Sequence, residues 1–292
     1  DERKGDYASF GRRSCTSMRD YQLRTTKLYA LKSIIFDKIH DEDVLDEMRN
    51  EINILKDLDH PNIVKPIETF ETDCQLYVVM EYLSGGDLYS RDPYTEKDAV
   101  KIVGRLLSAV SHMHRKNIIH RDLKYENIIF ENRYPDAEVK VIDFGLSKRY
   151  NPAKPDCSEG VGTIYTMAPQ VLQGRYTSQA DMWSLGVIAF MLLSSNMPFY
   201  GEGRREVVSK ILRCSYKFES RRWMFISDEA KDFVNALLVY NADKRLTASQ
   251  ALRSSWLKKR IALSKRQPEQ EFMDHVQGAL ENFGTYGKFK KV

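Results

Sequence analysis

His120-Arg-Asp-Leu-Lys-Tyr-Glu-Asn127, followed 21 residues after Asp122 by Asp143-Phe-Gly145, is the stretch on which the reading turns. Asn and Asp side chains are hard oxygen ligands, suited to a Mg²⁺ ion that also holds phosphate oxygens, so Asn127 and Asp143 are candidate metal ligands. A further carboxylate, Asp122, can orient a hydroxyl and accept its proton. Lys124 adds a positive charge for a phosphoryl group in transit. Upstream, Ala30-Leu-Lys32 puts a lysine in a strand-like run, and Glu51 lies on the helical pattern that follows. A lysine paired with a glutamate is a positioned clamp for phosphates. Taken singly, Lys32 and Glu51 read as solvent-facing residues, and Asp-Phe-Gly arises by chance. The ordered set carries the argument, and Ala168-Pro-Gln170 and Asp181-x-Trp-Ser-x-Gly186 continue it.

Around this stretch the composition is that of an ordinary soluble globular protein. Of 292 residues, 42% are apolar and 29% charged, and the net charge is +4. That surplus is too small to argue for nucleic acid. No apolar run approaches the ~20 residues of a membrane span, and Asp1–Gly5 is not expected to open a signal peptide. The length favours two lobes or two small domains over a single core. Cys15, Cys74, Cys157 and Cys214 are far apart, with no Cys-x-x-Cys pair, so reduced thiols in a cytosolic protein are expected and a zinc site is not. His112 and His114 read as surface or capping residues at the end of an apolar helix.

The pattern divides in two. Residues 7 to 82 read mostly as strand: Lys27–Ile35 and Gln75–Tyr82 are short β-branched and aromatic runs. Between them Val44, Leu45, Met48, Ile52, Leu55 and Leu58 recur at helical spacing. Beyond residue 95 the pattern is helical, with Thr95-x-x-Asp98, Ser178-x-x-Asp181 and Thr247-x-x-Gln250 each opening a helix as capping boxes do. The second of these helices, Trp183 to Leu193, is almost wholly apolar and should be buried on all sides.

This ordered set resembles the eukaryotic protein kinase family, over about Tyr7 to Leu257. The resemblance implies an α+β, two-lobed fold: an N-lobe over 1–82, a C-lobe over 83–260 and a regulatory or autoinhibitory extension over 261–292. ATP would lie between the lobes. Lys32 would hold its α- and β-phosphates and pair with Glu51, Asp122 would be the catalytic base, and Asn127 and Asp143 would hold Mg²⁺. Gly11, Met18, Ala30, Glu126 and Ile129 would complete the nucleotide pocket. Met80 would be the gatekeeper, the backbone of Glu81 and Leu83 would meet adenine, and Asp87 the ribose. Lys124 is of the serine/threonine type, and Leu146 goes with serine over threonine. Thr163 would support the substrate hydroxyl and the Asp122–Lys124 pair.

Several positions depart from the family pattern. Where the family has Gly-x-Gly-x-x-Gly-x-Val, the chain has Gly11-Arg-Arg13-Ser-Cys-Thr16-Ser-Met18, which keeps only the first glycine. Arg13 and Thr16 crowd a loop whose backbone N–H groups should approach phosphate. Pro66 stands in place of a bulky spine residue, and Tyr125 in place of a proline. Gln170 replaces a glutamate that would pair with Arg245, so a less rigid C-lobe is expected. Leu88–Tyr94 is about five residues short, through a trimmed helix or missing residues. These departures keep open an alternative, a pseudokinase scaffold that binds nucleotide or partners without efficient transfer.

Within the family, Tyr94–Ala99, Met197–Gly201 with Ser215–Phe218 and Trp223, and Ser227–Asp232 with Ala242–Ala248 and Trp256 resemble calcium-dependent and calmodulin-dependent kinases. Arg121 calls for an anionic partner on the activation loop. Glu159 could supply it without phosphorylation or be a solvated loop charge, and Ser158 is a candidate phosphosite. Asp87 and Glu126, at the cleft edge, would favour protein substrates with basic residues upstream of the target serine. In 269–292, Phe272, Val276, Leu280 and Phe283 form a helical stripe before Lys288, Lys290 and Lys291. This tail is either a packing helix or a pseudosubstrate relieved by a calmodulin-like or EF-hand domain. The chain carries no EF-hand loop of its own and is expected to continue past Val292. The implied compartment is the cytoplasm, with the nucleus as an alternative.

Overall fold

The computed structural model describes residues 15–18, 28–35, 42–72, 74–151 and 162–258. Gly11, Arg13, Ser158, Glu159 and the 261–292 extension lie outside the described residues. The first layer is a four-stranded antiparallel sheet, order β1-β2-β4-β3, built from β1 (Cys15–Met18), β2 (Tyr29–Ile35), β3 (Pro66–Glu71) and β4 (Gln75–Glu81). Helix α1 (Glu42–Asp57) falls between β2 and β3 in the chain. Everything after Glu81 is dominated by helices, so the architecture is a strand-rich N-lobe followed by a helical C-lobe, mixed α+β.

Two hydrophobic cores form, and α1 feeds both. Ile52 packs with Ile34, Leu76 and Val78 in the small core, whereas Ile54, Leu55 and Leu58 join the large one. Ile54, outside the helical stripe read from sequence, is fully buried. Met80 also packs against both cores. A backbone strap ties the lobes: Val64 N–H donates to Val141 O at 3.0 Å, and Val141 N–H to Asn62 O at 2.9 Å.

The C-lobe is organised by α2 (Glu96–Arg115), the short strands β5 (Ile118–Ile119), β6 (Ile128–Phe130), β7 (Val139–Val141) and β8 (Lys148–Arg149), and helices α3 (Pro169–Leu172), α4 (Gln179–Ser194), α5 (Arg204–Leu212), α6 (Asp228–Leu237) and α7 (Ala248–Ala251). Thr95 and Asp98 close a capping box on α2, as do Thr247 and Gln250 on α7. Every residue of α4 from Ala180 to Ser194 is buried. Buried Glu96, in the first turn of α2, accepts the Ser227 N–H and hydroxyl at 3.0 and 2.6 Å and the Trp256 indole N–H at 3.1 Å. The Met197–Gly201, Ser215–Phe218 and Trp223 stretches meet around Phe190: its ring lies 4.9 Å from Trp223 and 5.9 Å from Phe218, and Phe199 stacks on Trp183 at 5.4 Å. Among the described residues no helix is long and apolar enough to cross a membrane.

Two expectations change, the Ser178 cap and the surface placement of the histidines. Ser178 does not cap α4: its backbone is already helical, its side chain makes no cap bond, and the Asp181 carboxylate serves the His120 and Arg121 N–H groups. His114 is no surface residue, since its Nε2 lies 2.9 Å from Asp181 Oδ2. His112 packs its ring 5.4 Å from that of His60. In the shortened Leu88–Tyr94 segment, Leu88–Arg91 forms a single 3₁₀ turn capped by Asp87, whose Oδ1 accepts Ser90 N–H at 3.0 Å.

Candidate active site

Strand register places the first group. Antiparallel pairing of β2 with β4 sets Lys32 opposite Val78 and Ala30 opposite Met80. From β2, Lys32 Nζ reaches Glu51 on α1 at 2.7 Å to Oε1 and 2.8 Å to Oε2. The pair is largely shielded, with Glu51 7% exposed, so its charges are screened less than a surface pair. Gly145 continues the cluster: a Cβ there would stand 3.3 Å from Asp143 Oδ1 and 3.5 Å from Glu51 Oε2. The Lys32–Glu51 pair and Asp143 are therefore contiguous across the junction of the lobes.

Asp143 itself has φ +60, left-handed backbone that a non-glycine residue adopts at a cost. Its Oδ1 accepts Gly145 N–H at 3.4 Å. Phe144 is fully buried against the His120 ring, 4.9 Å edge-on. His120 is fixed in turn by its Nε2 at 3.1 Å from Ile142 O.

The second group surrounds Asp122. Lys124 Nζ donates to Asp122 Oδ2 at 2.6 Å and to Thr163 Oγ1 at 2.9 Å. The Thr163 hydroxyl and N–H donate to Asp122 Oδ1 at 2.7 and 3.0 Å. Asn127 Nδ2 donates to Asp122 O at 2.8 Å and Oδ2 at 3.2 Å, so the amide presents Oδ1 away from Asp122. Gly162 makes this approach possible: at φ +119, a Cβ would sit 2.7 Å from Arg121 O.

Asp181 supports the segment from below. Its carboxylate accepts the backbone N–H groups of His120 and Arg121, each at 3.0 Å, and faces His114. Full burial works against its charge, yet the His114 hydrogen bond, the neighbouring histidines and the His120 N–H hold its pKa below the usual carboxylate value. Arg121 takes a left-handed backbone, φ +70, donates its Nε–H to Leu146 O and accepts from the Tyr176 hydroxyl at its own carbonyl, 2.9 Å.

The connection after β4 forms the edge of the junction. Glu81 Oε1 accepts Lys65 N–H at 2.7 Å and Lys140 Nζ at 3.0 Å. Ser84 and Gly85 donate to Glu131 O and Phe130 O, and Asp87 bridges Ile129. Gly85 is obligatory, since a Cβ would fall 2.2 Å from Asn132 O. The N–H of Leu83 makes no hydrogen bond among the described residues, a donor available to a base. Met18 pairs with Leu31 through β1, next to Lys32 in the sheet.

Among the described residues no group of three or more His, Cys, Asp or Glu is arranged to hold a metal alone. Asn127 and Asp143 fit a Mg²⁺ ion that draws its remaining ligands from phosphate and water, the usual way that ion is held. The Lys32–Glu51 clamp and the open Leu83 N–H fit a nucleotide.

Sequence reading missed two residues at this site. Tyr165 donates its hydroxyl to Glu126 Oε2 at 2.6 Å. Asn62 Nδ2 donates to Val139 O at 2.9 Å and holds the strap between the lobes. The aromatic two residues after Thr163 was the available signal for Tyr165; Asn62 offered none.

The profile of the protein kinase domain family matches residues 11–257. Calcium-dependent protein kinase 3 of Plasmodium yoelii yoelii is 38% identical over 248 residues, covering 84% of this chain and 45% of that protein. The Plasmodium berghei (strain Anka) protein of the same name is 37% identical over 248 residues, 84% of this chain and 44% of its own length. The chain thus spans less than half the length of these curated relatives. With the Lys32–Glu51 pair and the Asp122 network in place on a strand-rich lobe and a helical lobe, this chain belongs to the protein kinase domain family.

Proposed function

We propose that this chain is a protein serine/threonine kinase that transfers the γ-phosphoryl group of ATP to protein hydroxyls. The observation that carries the reading is the closed network of Asp122, Lys124 and Thr163, in one molecule with the Lys32–Glu51 pair. Thr163 already occupies Asp122 Oδ1 with a hydroxyl, so the atom is shaped and oriented for a hydroxyl donor. A substrate hydroxyl brought to the carboxylate gives its proton to Asp122, which Thr163 and Lys124 hold in place. Lys124 lies on the other carboxylate oxygen, where its charge offsets negative charge building on the transferred group. Lys32, aligned by Glu51, holds the α- and β-phosphates. Asn127 Oδ1 and the Asp143 carboxylate would hold Mg²⁺, which would supply charge to neutralise phosphate. Met80 backs the base, Glu81 and Leu83 meet it through the backbone, and Asp87 meets the ribose.

The finer reading is basic-directed and linked to calcium. Asp87 and Glu126 supply carboxylates for a basic residue upstream of the phosphoacceptor. The two relatives are named calcium-dependent, and by extension a calmodulin-like or EF-hand domain would relieve an inhibitory 269–292 tail. Deleting 269–292 then raises activity. Unchanged KM and turnover on deletion would remove the tail from this account.

Asp143→Asn tests the kinase reading. It should leave the unfolding temperature in apo buffer nearly unchanged, remove most of the shift given by Mg·ATP, and abolish phosphotransfer. Near-normal turnover in Asp143→Asn would overturn the assignment.

A further inference from the structure

Glu126, one of the two carboxylates available to a basic substrate residue, is already half engaged. The Tyr165 hydroxyl donates to its Oε2 at 2.6 Å, while its Oε1 accepts nothing among the described residues. Next to Glu126 in the chain, the Tyr125 ring packs 4.9 Å from that of Tyr89. Burial first, and then the Glu126 carboxylate, push the Tyr165 phenol well above its ordinary pKa, so it stays a donor throughout the physiological range. The contact is a fixed feature of the cleft edge, because Tyr165 sits in the 3₁₀ turn Ile164–Thr166, directly after the Thr163 that holds Asp122. Asp87, the second carboxylate, spends Oδ1 on the Ser90 N–H in capping the 3₁₀ turn.

Arginine and lysine use a carboxylate differently. A guanidinium gains most from two parallel N–H bonds, one to each oxygen, whereas an ammonium makes a single point contact. With the phenol seated 2.6 Å from Oε2, a fork closing over both oxygens must share that atom with Tyr165, whereas a single contact at Oε1 need not, so the fork loses its advantage. We propose that Tyr165 is a specificity-determining residue: by capping Glu126 it makes the chain accept lysine and arginine upstream of the phosphoacceptor almost equally. The inference rests on the basic-directed kinase reading, and deepens it by naming what sets the choice between the two basic side chains.

The test compares three serine peptides, identical except for Arg, Lys or Ala three residues before the serine, on the full chain and on Tyr165→Phe. The readout is the ratio of kcat/KM for the Arg peptide to that for the Lys peptide. The expected ratio is within about threefold in the unaltered chain and rises by about tenfold in Tyr165→Phe, as a bidentate pair replaces a single contact. Tyr165→Met, which also lacks the hydroxyl, should move the ratio the same way if Tyr165→Phe is poorly folded. An Arg/Lys ratio unmoved by both variants overturns the proposal. So does a strong arginine preference in the unaltered chain. Equal use of the Ala peptide would instead remove the basic-directed reading and this inference with it. No transfer to any peptide would remove the kinase reading itself.

Discussion

The Arg245 guanidinium is buried 3.3 Å from the side-chain oxygen of Gln170, an amide where a carboxylate would complete an ion pair. The arginine is held instead by the carbonyls of Val239 and Gln179, and its charge lies over the Trp183 ring at 5.1 Å. Burial pushes its pKa down to about 10. Among the described residues no carboxylate lies against the guanidinium to offset its desolvation.

Gln170→Glu should therefore stabilise the chain. It supplies the missing charge and deletes Gln170 Nε2, a buried donor with no partner among the described residues. The expected gain is about 1–2 kcal/mol, or a rise of roughly 2–8 °C in Tm, read by thermal unfolding at neutral pH. An unchanged or lower Tm would mean that the carbonyls already satisfy the guanidinium.

Tyr125, the residue that stands where a proline is usual, buries its hydroxyl without a partner among the described residues. Burial also pushes its phenol pKa upward. Tyr125→Phe keeps the ring contact with Tyr89 and removes an unmet polar group, so stability should rise by about 1 kcal/mol in urea unfolding. A loss of comparable size would reveal a partner for the hydroxyl.

Asp181 gives the clearest pH dependence. Its folded pKa lies below the ordinary 3.8, so the unfolded chain binds the proton more readily. The stability it contributes is complete above that value and is lost as pH falls through the lower, folded one. Asp181→Asn should cost about 2–3 kcal/mol at pH 7, because the His120 and Arg121 N–H groups lose a charged acceptor. The gap between the two proteins should narrow below about pH 4. A gap that stays constant from pH 7 to pH 3 would mean that the carboxylate's charge is not what holds the segment.

The candidate site was legible because its residues fall in short runs with fixed spacing: Asp122, Lys124 and Asn127 lie within six residues, and Asp143 follows at a set distance. The Thr95 and Thr247 caps were legible because a capping box is local. The same local pattern failed at Ser178, where Asp181 serves backbone groups about sixty residues away and leaves the helix start uncapped. His114 misled for the same reason, its partner lying 67 residues on. Pro66 is the first residue of the edge strand β3, where a missing N–H costs least, and it lines a cavity of ≈ 280 Å³ with Leu55 and Leu58. Neither the edge position nor the space beside it can be read from one residue in a row.

The most direct measurement is transfer of radiolabelled γ-phosphate from Mg·ATP to a serine peptide with arginine three residues upstream, by the unaltered chain and by Asp122→Asn. The unaltered chain should label the serine, and the variant should fall by about 10²-fold or more, the usual share of a positioned general base. An unaltered chain that binds Mg·ATP yet labels no peptide, or an Asp122→Asn protein that works at the same rate, would contradict the account.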